Sequence, residues 1–269
     1  MNKNELVAKF TSEEEEKLIL CRVLDKYNAM RQGGYMTYTS FLSDRVSILA
    51  ERLLRHLGVS EEEYFFDGGY SGASRKILVF VPEYMTQDDC KLPEATPLKY
   101  VRVTYYKEYT LTHRDFLGSL LGDGVSRDVI GDILVNDERK KTDIVVLDNI
   151  LSYMLNSLFK VGRAKIECVE ITADELYVPE QKTETVKDTV ASLRLDGIIS
   201  AALGMSRDKA SQAVSRGLVE LNHFPCSKGE KLLEEGDSVT VRGFGKFTLS
   251  QVGNLSKKGR IFVEIKRFV

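Results

Sequence analysis

The 269-residue sequence predicts an α+β protein, and three observations carry that expectation. The apolar spacing switches repeatedly between the period of a helix and that of a strand. Between residues 100 and 171 these switches fall in the order βαββαβ. Charge is also segregated: residues 186–269 hold 14 Lys and Arg against nine acids, a net of +5, leaving −7 on residues 1–185. The formal net charge of −2 therefore conceals a basic module attached to an acidic body.

Residues 1–72 are expected to form an N-terminal domain of helices and a strand. Ser12 and Glu15 stand at capping-box spacing, which supplies acceptors for the first free amides of a helix. A second helix opens near Asp44, with Val46, Leu49, Ala50, Leu53, Leu54 and Leu57 on one face and Gly58 as its stop. Its other face carries Arg45, Glu51, Arg52 and Arg55 and reads as solvated. Glycines 68, 69 and 72 then punctuate two β-rich runs, YFFD and KILVFVP. The stretch from Pro82 to Pro97, with three prolines and several acids, reads as an exposed connection.

Residues 73–178 are assigned to a central domain. Tyr100–Tyr106 is strand-like, His113–Leu121 helical, Asp132–Val135 and Ile144–Leu147 strand-like, Asn149–Phe159 helical and Lys165–Ile171 strand-like. That is the split arrangement shared by ferredoxin-like and RNA-recognition folds. The strand DILV lacks stacking aromatics, whereas Tyr105, Tyr106 and Tyr109 near the first strand could stack on a base. Residues 179–190 are polar and poor in large apolar groups, and are expected to be a linker. The basic module then occupies residues 191–269.

Several function classes are disfavoured. No run approaches the roughly 18 apolar residues of a membrane span, and the first residues lack a signal-peptide core. Cys21, Cys90, Cys168 and Cys226 lie far apart, as expected for thiols in a reducing cytoplasm rather than for a zinc site or disulfide framework. No metal and no cofactor are expected: the three histidines, His56, His113 and His223, join no carboxylate cluster at ligand spacing. Neither a P-loop nor a dinucleotide loop occurs. His113 and Asp115, two apart at a helix start, do not share a face, so Thr112 or Asp115 as a cap is the simpler account. No catalytic residues are assigned. Contact of His113, Arg114 and Arg127 with RNA is preferred to catalysis.

The informative stretch is RLDGIISAALGMSRDKASQAVSRGLVELN, residues 194–222. Leu195, Ile198, Ile199, Ala202 and Leu203 form one apolar helix face, closed by Gly204. Ser206 is placed to cap a second helix, from which Lys209, Gln212 and Arg216 project at i, i+3 and i+7 beside Arg207. Free amides at a helix start together with such cations suit phosphate. The ordered set Arg194-Leu195-Asp196, Leu203-Gly204, Ser206-Arg207, Ala210, Gly217, Val219, Asn222 and Gly236-Asp237 resembles the RNA-binding domain named after ribosomal small-subunit protein four, the S-four domain. His223 departs from that family, which usually has glycine after the asparagine.

The resemblance implies a helix–helix–hairpin surface for structured RNA, with Arg207, Lys209 and Arg216 as phosphate contacts; Arg194, Ser206 and Gln212 are further candidate RNA-binding residues. Further on, RGFGKF (242–247) echoes the aromatic motif of RNA-recognition folds but has Lys246 where the next aromatic belongs. A glycine-rich hairpin bearing Arg242, Phe244 and Lys246 is expected there, either touching RNA through Arg242 and Lys246 or forming a plain turn.

The segment THRDFLGSLLGDGVSRDVIGDILV (112–135), followed by VGR (161–163), is similar to the central domain of the YlmH family, bacterial proteins that end in an S-four domain. Asp123-Gly124 stands where many relatives have Leu-Gly. Membership implies a cytoplasmic, non-enzymatic factor acting on rRNA and tRNA at the ribosomal large subunit, in quality control of stalled peptidyl-tRNA. A monomer is expected. The alternatives are an RNA-modifying enzyme of pseudouridine-synthase type anchored by its S-four domain, and an adaptor linked to cell division.

Overall fold

The computed structural model describes residues 2–180 and 182–268 and is of the α+β class. It divides into two compact units, Met1–Pro179 and Glu180–Val269.

The first unit begins with α1 (Lys3–Val7), α2 (Glu14–Gly33), β1 (Thr37–Tyr38), α3 (Asp44–His56), β2 (Tyr64–Asp67), β3 (Ile77–Phe80) and α4 (Gln87–Lys91). The expected Ser12–Glu15 capping box is not formed. Instead Glu13 occupies the N-cap of α2 without a side-chain bond, and the buried Thr11 hydroxyl accepts from the Glu13 amide (3.1 Å) and donates to Glu16 (2.5 Å). Glu14, Glu15 and Glu16 complement the positive end of the helix dipole. In α3 the Ser43 hydroxyl caps the Val46 amide, Val46, Leu49, Ala50, Leu53 and Leu54 are buried, and Gly58 follows in the left-handed region at φ +72°. The stretch between Pro82 and Pro97 is more than a connection. Thr86 and Asp89 form a capping box there, and α4 carries Cys90 into the core.

The expected βαββαβ order is present with one strand added: β4 (Leu98–Tyr105), α5 (His113–Gly122), β5 (Ile130–Asn136), β6 (Lys141–Leu147), α6 (Leu151–Asn156), β7 (Lys160–Val161) and β8 (Ala164–Ile171), the short β7 forming a hairpin with β8. Thr112 and Asp115 cap α5 reciprocally, and α6 is shorter than the expected 149–159. The strands form an antiparallel five-stranded sheet in the order β5-β6-β4-β8-β7. Helices α5 and α6 cover one face, where Val101, Val103, Phe116, Leu120, Ile144 and Met154 share a core.

The other face is covered by the N-terminal segment. Leu98, Val145 and Leu147 pack with Phe41, Ile77, Val79, Val81 and Cys90. The expected boundary at residue 72 is therefore corrected twice. Strand β3 lies beyond it, yet β3 is the middle strand of the N-terminal sheet β1-β3-β2. That sheet and the central one also share a core, so residues 2–179 form one unit rather than two. Arg75 fastens the join: Nε donates to the carbonyl of Ile130 (2.9 Å), and Nη2 to those of Phe41 (3.2 Å) and Arg127 (3.1 Å). Burial, with Arg127 nearby, pushes the Arg75 pKa down to about 10. Arg75→Met leaves these carbonyls without their donor and is expected to destabilise the first unit by about 3 kcal/mol in urea unfolding. Arg75→Lys should recover less than half, because an ammonium lacks the planar fork.

The second unit begins with a strand where a linker was expected. Its elements are β9 (Thr183–Val190), α7 (Leu195–Leu203), α8 (Arg207–Ser215), β10 (Val219–Leu221), β11 (Phe224–Pro225), β12 (Ser238–Val241), β13 (Gly245–Leu255) and β14 (Ile261–Phe268). They build a six-stranded antiparallel sheet in the order β11-β10-β12-β13-β14-β9. β9 pairs along its whole length with β14. The segment TETVKDTV is polar because it forms an edge strand. Only Val186 and Val190 turn to the core, while Lys187 lies opposite Glu264 and Glu184 opposite Arg267 as cross-strand ion pairs. α7 and α8 pack on the sheet through Leu195, Ile198, Ile199, Ala210, Ala213 and Val214.

Residues Asn222 and His223 make the two-residue turn between β10 and β11, both left-handed at φ +49° and +68°. Asn222 suits the turn, since its amide donates to Asp237 (2.7 Å) and accepts from the Ser238 N–H (2.9 Å). A histidine is strained there, because its Cβ crowds the backbone. His223→Gly should therefore stabilise the second unit by about 1 kcal/mol, read as a higher urea midpoint.

Candidate nucleic-acid interface

In the second unit the predicted cations are organised by a buried carboxylate. Arg194, the N-cap residue of α7, donates from Nε (3.1 Å) and Nη2 (2.7 Å) to the two oxygens of Asp196, and Arg207 Nη2 reaches the same carboxylate at 3.4 Å. Asp196 is only 5% exposed. The Arg194 hydrogen bonds, with Arg207 adding charge, hold its carboxyl below the usual range against the cost of burial. The backbone closes round the pair: the Asp196 N–H donates to the carbonyl of Gly229 (3.0 Å) and the Leu195 N–H to that of Lys231 (2.8 Å). The first turn of α7 thus fixes two guanidinium groups whose remaining N–H donors face outward. A carboxylate on an otherwise apolar helix face must be paired. In sequence Asp196 is one letter of the S-four signature, and its role shows only once its burial is known.

Ser206 caps α8, its hydroxyl accepting from the Lys209 amide at 3.3 Å. Asp208 in the same first turn already answers part of the dipole, so the helix start is a weaker phosphate cradle than the sequence suggests. Lys209, Gln212 and Arg216 are exposed, and among the described residues no carboxylate pairs with Lys209 or Arg216. The expected glycine-rich hairpin is present. Arg242-Gly243-Phe244 joins β12 to β13, with Gly243 at φ +83°. The Arg242 N–H donates to the carbonyl of Leu218 (2.8 Å), which brings Arg242 beside the chain that leaves Arg216. Lys246 is half-buried with its ammonium 5.6 Å from the centre of the Phe268 ring. Phe247 lies in the core, while Phe244 at the turn is 56% exposed.

In the first unit His113 and Arg114 are exposed, whereas Arg127 is half-buried. Arg127 Nη1 donates to the carbonyls of Ile130 (2.7 Å) and Gly131 (3.2 Å). Desolvation and the charge of Arg127 hold the His113 imidazole below its ordinary pKa, against a smaller pull from Asp132. Arg114 is exposed on α5. Much of the helix-free face of the sheet is also closed. Tyr100 is packed against the N-terminal segment, with its hydroxyl pushed up to about 12 by burial and by Asp67. Arg102 is locked to Asp143 by two bonds of 2.8 and 2.7 Å.

Residues 95–175 match the family model described as "Putative RNA-binding domain in YlmH". The "Ribosome-associated protein quality control protein P2" of Bacillus subtilis (strain 168) is 27% identical over 254 residues, which span 94% of this chain and 95% of that one. Both findings support the YlmH family. A solved structure, "Cell division protein ylmH from Streptococcus pneumoniae", aligns with TM-score 0.50 at 18% identity, covering 62% of this chain and 98% of that chain, which is a likeness of fold. The matched stretch includes β4 to β8 and the capped start of α5.

Asp196→Asn keeps the shape and removes the charge that holds both guanidinium groups, and should cost about 1.5–3 kcal/mol of second-unit stability at pH 7. Because the folded-state pKa of Asp196 is depressed, the wild-type advantage is complete above the unfolded value near 3.9 and fades as pH falls through the lower folded value. Urea midpoints of the two proteins measured from pH 7 to pH 2 should therefore converge at the acid end.

Proposed function

We propose that the chain is a non-enzymatic RNA-binding factor of the translation machinery, gripping rRNA or tRNA on the ribosomal large subunit during quality control of stalled peptidyl-tRNA. One observation carries the reading: Arg207, held by the buried Asp196, stands with Lys209 on α8 and with Arg216 at its C-cap, all exposed, in the C-terminal segment 186–269 with net charge +5. Phosphate contacts dominate nucleic-acid affinity, and a guanidinium fixed by a carboxylate has less entropy to lose on meeting one. Arg194, Gln212 and Arg242 extend the surface, and Lys246 contributes its aliphatic stem more than its charge. The name of the Bacillus subtilis relative supports the ribosomal setting. The reading carries with it a monomeric chain in the cytoplasm. Among the described residues no helix is long and apolar enough to cross a membrane.

Binding of a structured RNA stem to the full chain should weaken with salt at a log–log slope near −2 to −3, if about three phosphates are neutralised. Replacing Arg207, Lys209 and Arg216 together by glutamate should reduce affinity at least about 100-fold. Unchanged affinity would remove this face as the site. In cells, the tagged protein should co-sediment with large-subunit particles that contain tRNA. A modified base lost on deletion of the gene would overturn the non-enzymatic reading.

A further inference from the structure

A cleft of about 400 Å³ opens in the first unit where β4 ends beside the start of β8, lined by Thr104, Tyr106, Phe159, Lys165 and Glu167 among others. Two features of it are unexplained by the fold. Phe159 is 67% exposed and Tyr106 65%, although both are large rings on an otherwise well-packed domain. Lys160 also lies directly opposite Lys165 in the β7–β8 hairpin, with Arg163 in the turn between them. All three cations are exposed, and among the described residues none pairs with a carboxylate. Like charges placed opposite one another destabilise a hairpin. The backbone beneath is nevertheless firmly held. Val161 and Ala164 are fully buried, the Gly162 N–H donates to Ser119 Oγ (3.1 Å), and the Phe159 carbonyl accepts from the Ile166 N–H (3.1 Å). Exposed rings and like charges on rigid backbone are a preorganised surface awaiting a partner that is both flat and anionic.

We propose that this cleft binds one unpaired nucleotide of RNA, with its base stacked on Phe159 and Tyr106 and the flanking phosphates on Lys160, Arg163 and Lys165. A nucleotide answers both features at once. Aromatic side chains stack splayed bases, and lysines track the backbone. An acidic peptide would satisfy the cations and leave the rings exposed. The volume falls within the range of about 300–1,000 Å³ typical of small-molecule sites. Glu167 adds an acceptor suited to the exocyclic amine of adenine, cytosine or guanine. The proposal rests on the RNA-binding reading but uses none of the residues on α7 or α8.

The test uses the full chain and a short single-stranded RNA containing 2-aminopurine, which keeps an exocyclic amine and loses fluorescence when stacked. Binding should quench the probe. Phe159→Ala and Tyr106→Ala should each weaken it by about 5- to 100-fold, the range that corresponds to one lost stacking partner. Phe159→Trp should restore quenching. Both rings are largely exposed, so urea midpoints of the alanine variants should match that of the wild type. The Arg207/Lys209/Arg216 triple glutamate variant should keep the quenching. Unaltered affinity and fluorescence in the two alanine variants overturn the cleft as a base site, even where the triple variant has lost the structured stem and the S-four reading stands. Quenching that depends on Phe159 while the triple variant still binds the stem overturns the S-four assignment instead. Competition by polyglutamate as effective as by unlabelled RNA would reduce the cleft to a plain cationic patch and overturn the proposal.

Discussion

Strand β6 is buried on both faces, and the first unit is arranged around that demand. From Thr142 to Leu147 each residue of KTDIVVL is inaccessible, so alternate side chains need cover in opposite directions. Ile144 and Val146 are met by α5 and α6, and Val145 and Leu147 by the N-terminal segment. Burying a double-sided strand forces the two halves of the unit together. Arg75 then satisfies backbone carbonyls that would otherwise be stranded at the seam. Asp143, at the same strand's polar end, is made tolerable by the bidentate Arg102 and by the Tyr177 N–H (2.7 Å).

Covering that second face decides where RNA can go. A split βαββαβ sheet with one naked face could bind bases on its strands, but here the middle of that face is occupied by protein. What remains accessible is the margin, where β4 runs out and the β7–β8 hairpin carries its lysines. The second unit solves the same problem differently. Its helices bury one face of a sheet, and a single inaccessible carboxylate, Asp196, disciplines the guanidinium groups that rise from them. In both units the cations stand on backbone fixed by other interactions.

Much of this was legible in the sequence because it rests on local rules. The order βαββαβ, the apolar face of α3, the Thr112 cap, the helix stop at Gly204 and the hairpin at 242–247 follow from periodicity, capping and glycine geometry. The failures share one cause: they depend on partners far along the chain. TETVKDTV looks like a linker until β14 is beside it, because an edge strand needs only two inward valines. Ser12 and Glu15 have the right spacing, but Thr11 sits in the place where its hydroxyl reaches both Glu13 and Glu16. Arg127 looks like a free cation in sequence and is a backbone donor in space. Asp196 was visible as a letter of the signature, while its role required knowing that the position is buried.

The pairing of β9 with β14 also bears on how the second unit is made. The two strands are separated by some seventy to eighty-five residues, yet they lie side by side, and β9 has no other neighbour in its sheet. On a growing chain β9 emerges long before the strand that holds it, together with helices whose apolar faces still lack their sheet. Closure of such a distant pair is slow compared with helix formation. The last strand of the unit thus closes its sheet against the first, and β9 joins the core through Val186 and Val190 only once β14 lies beside it.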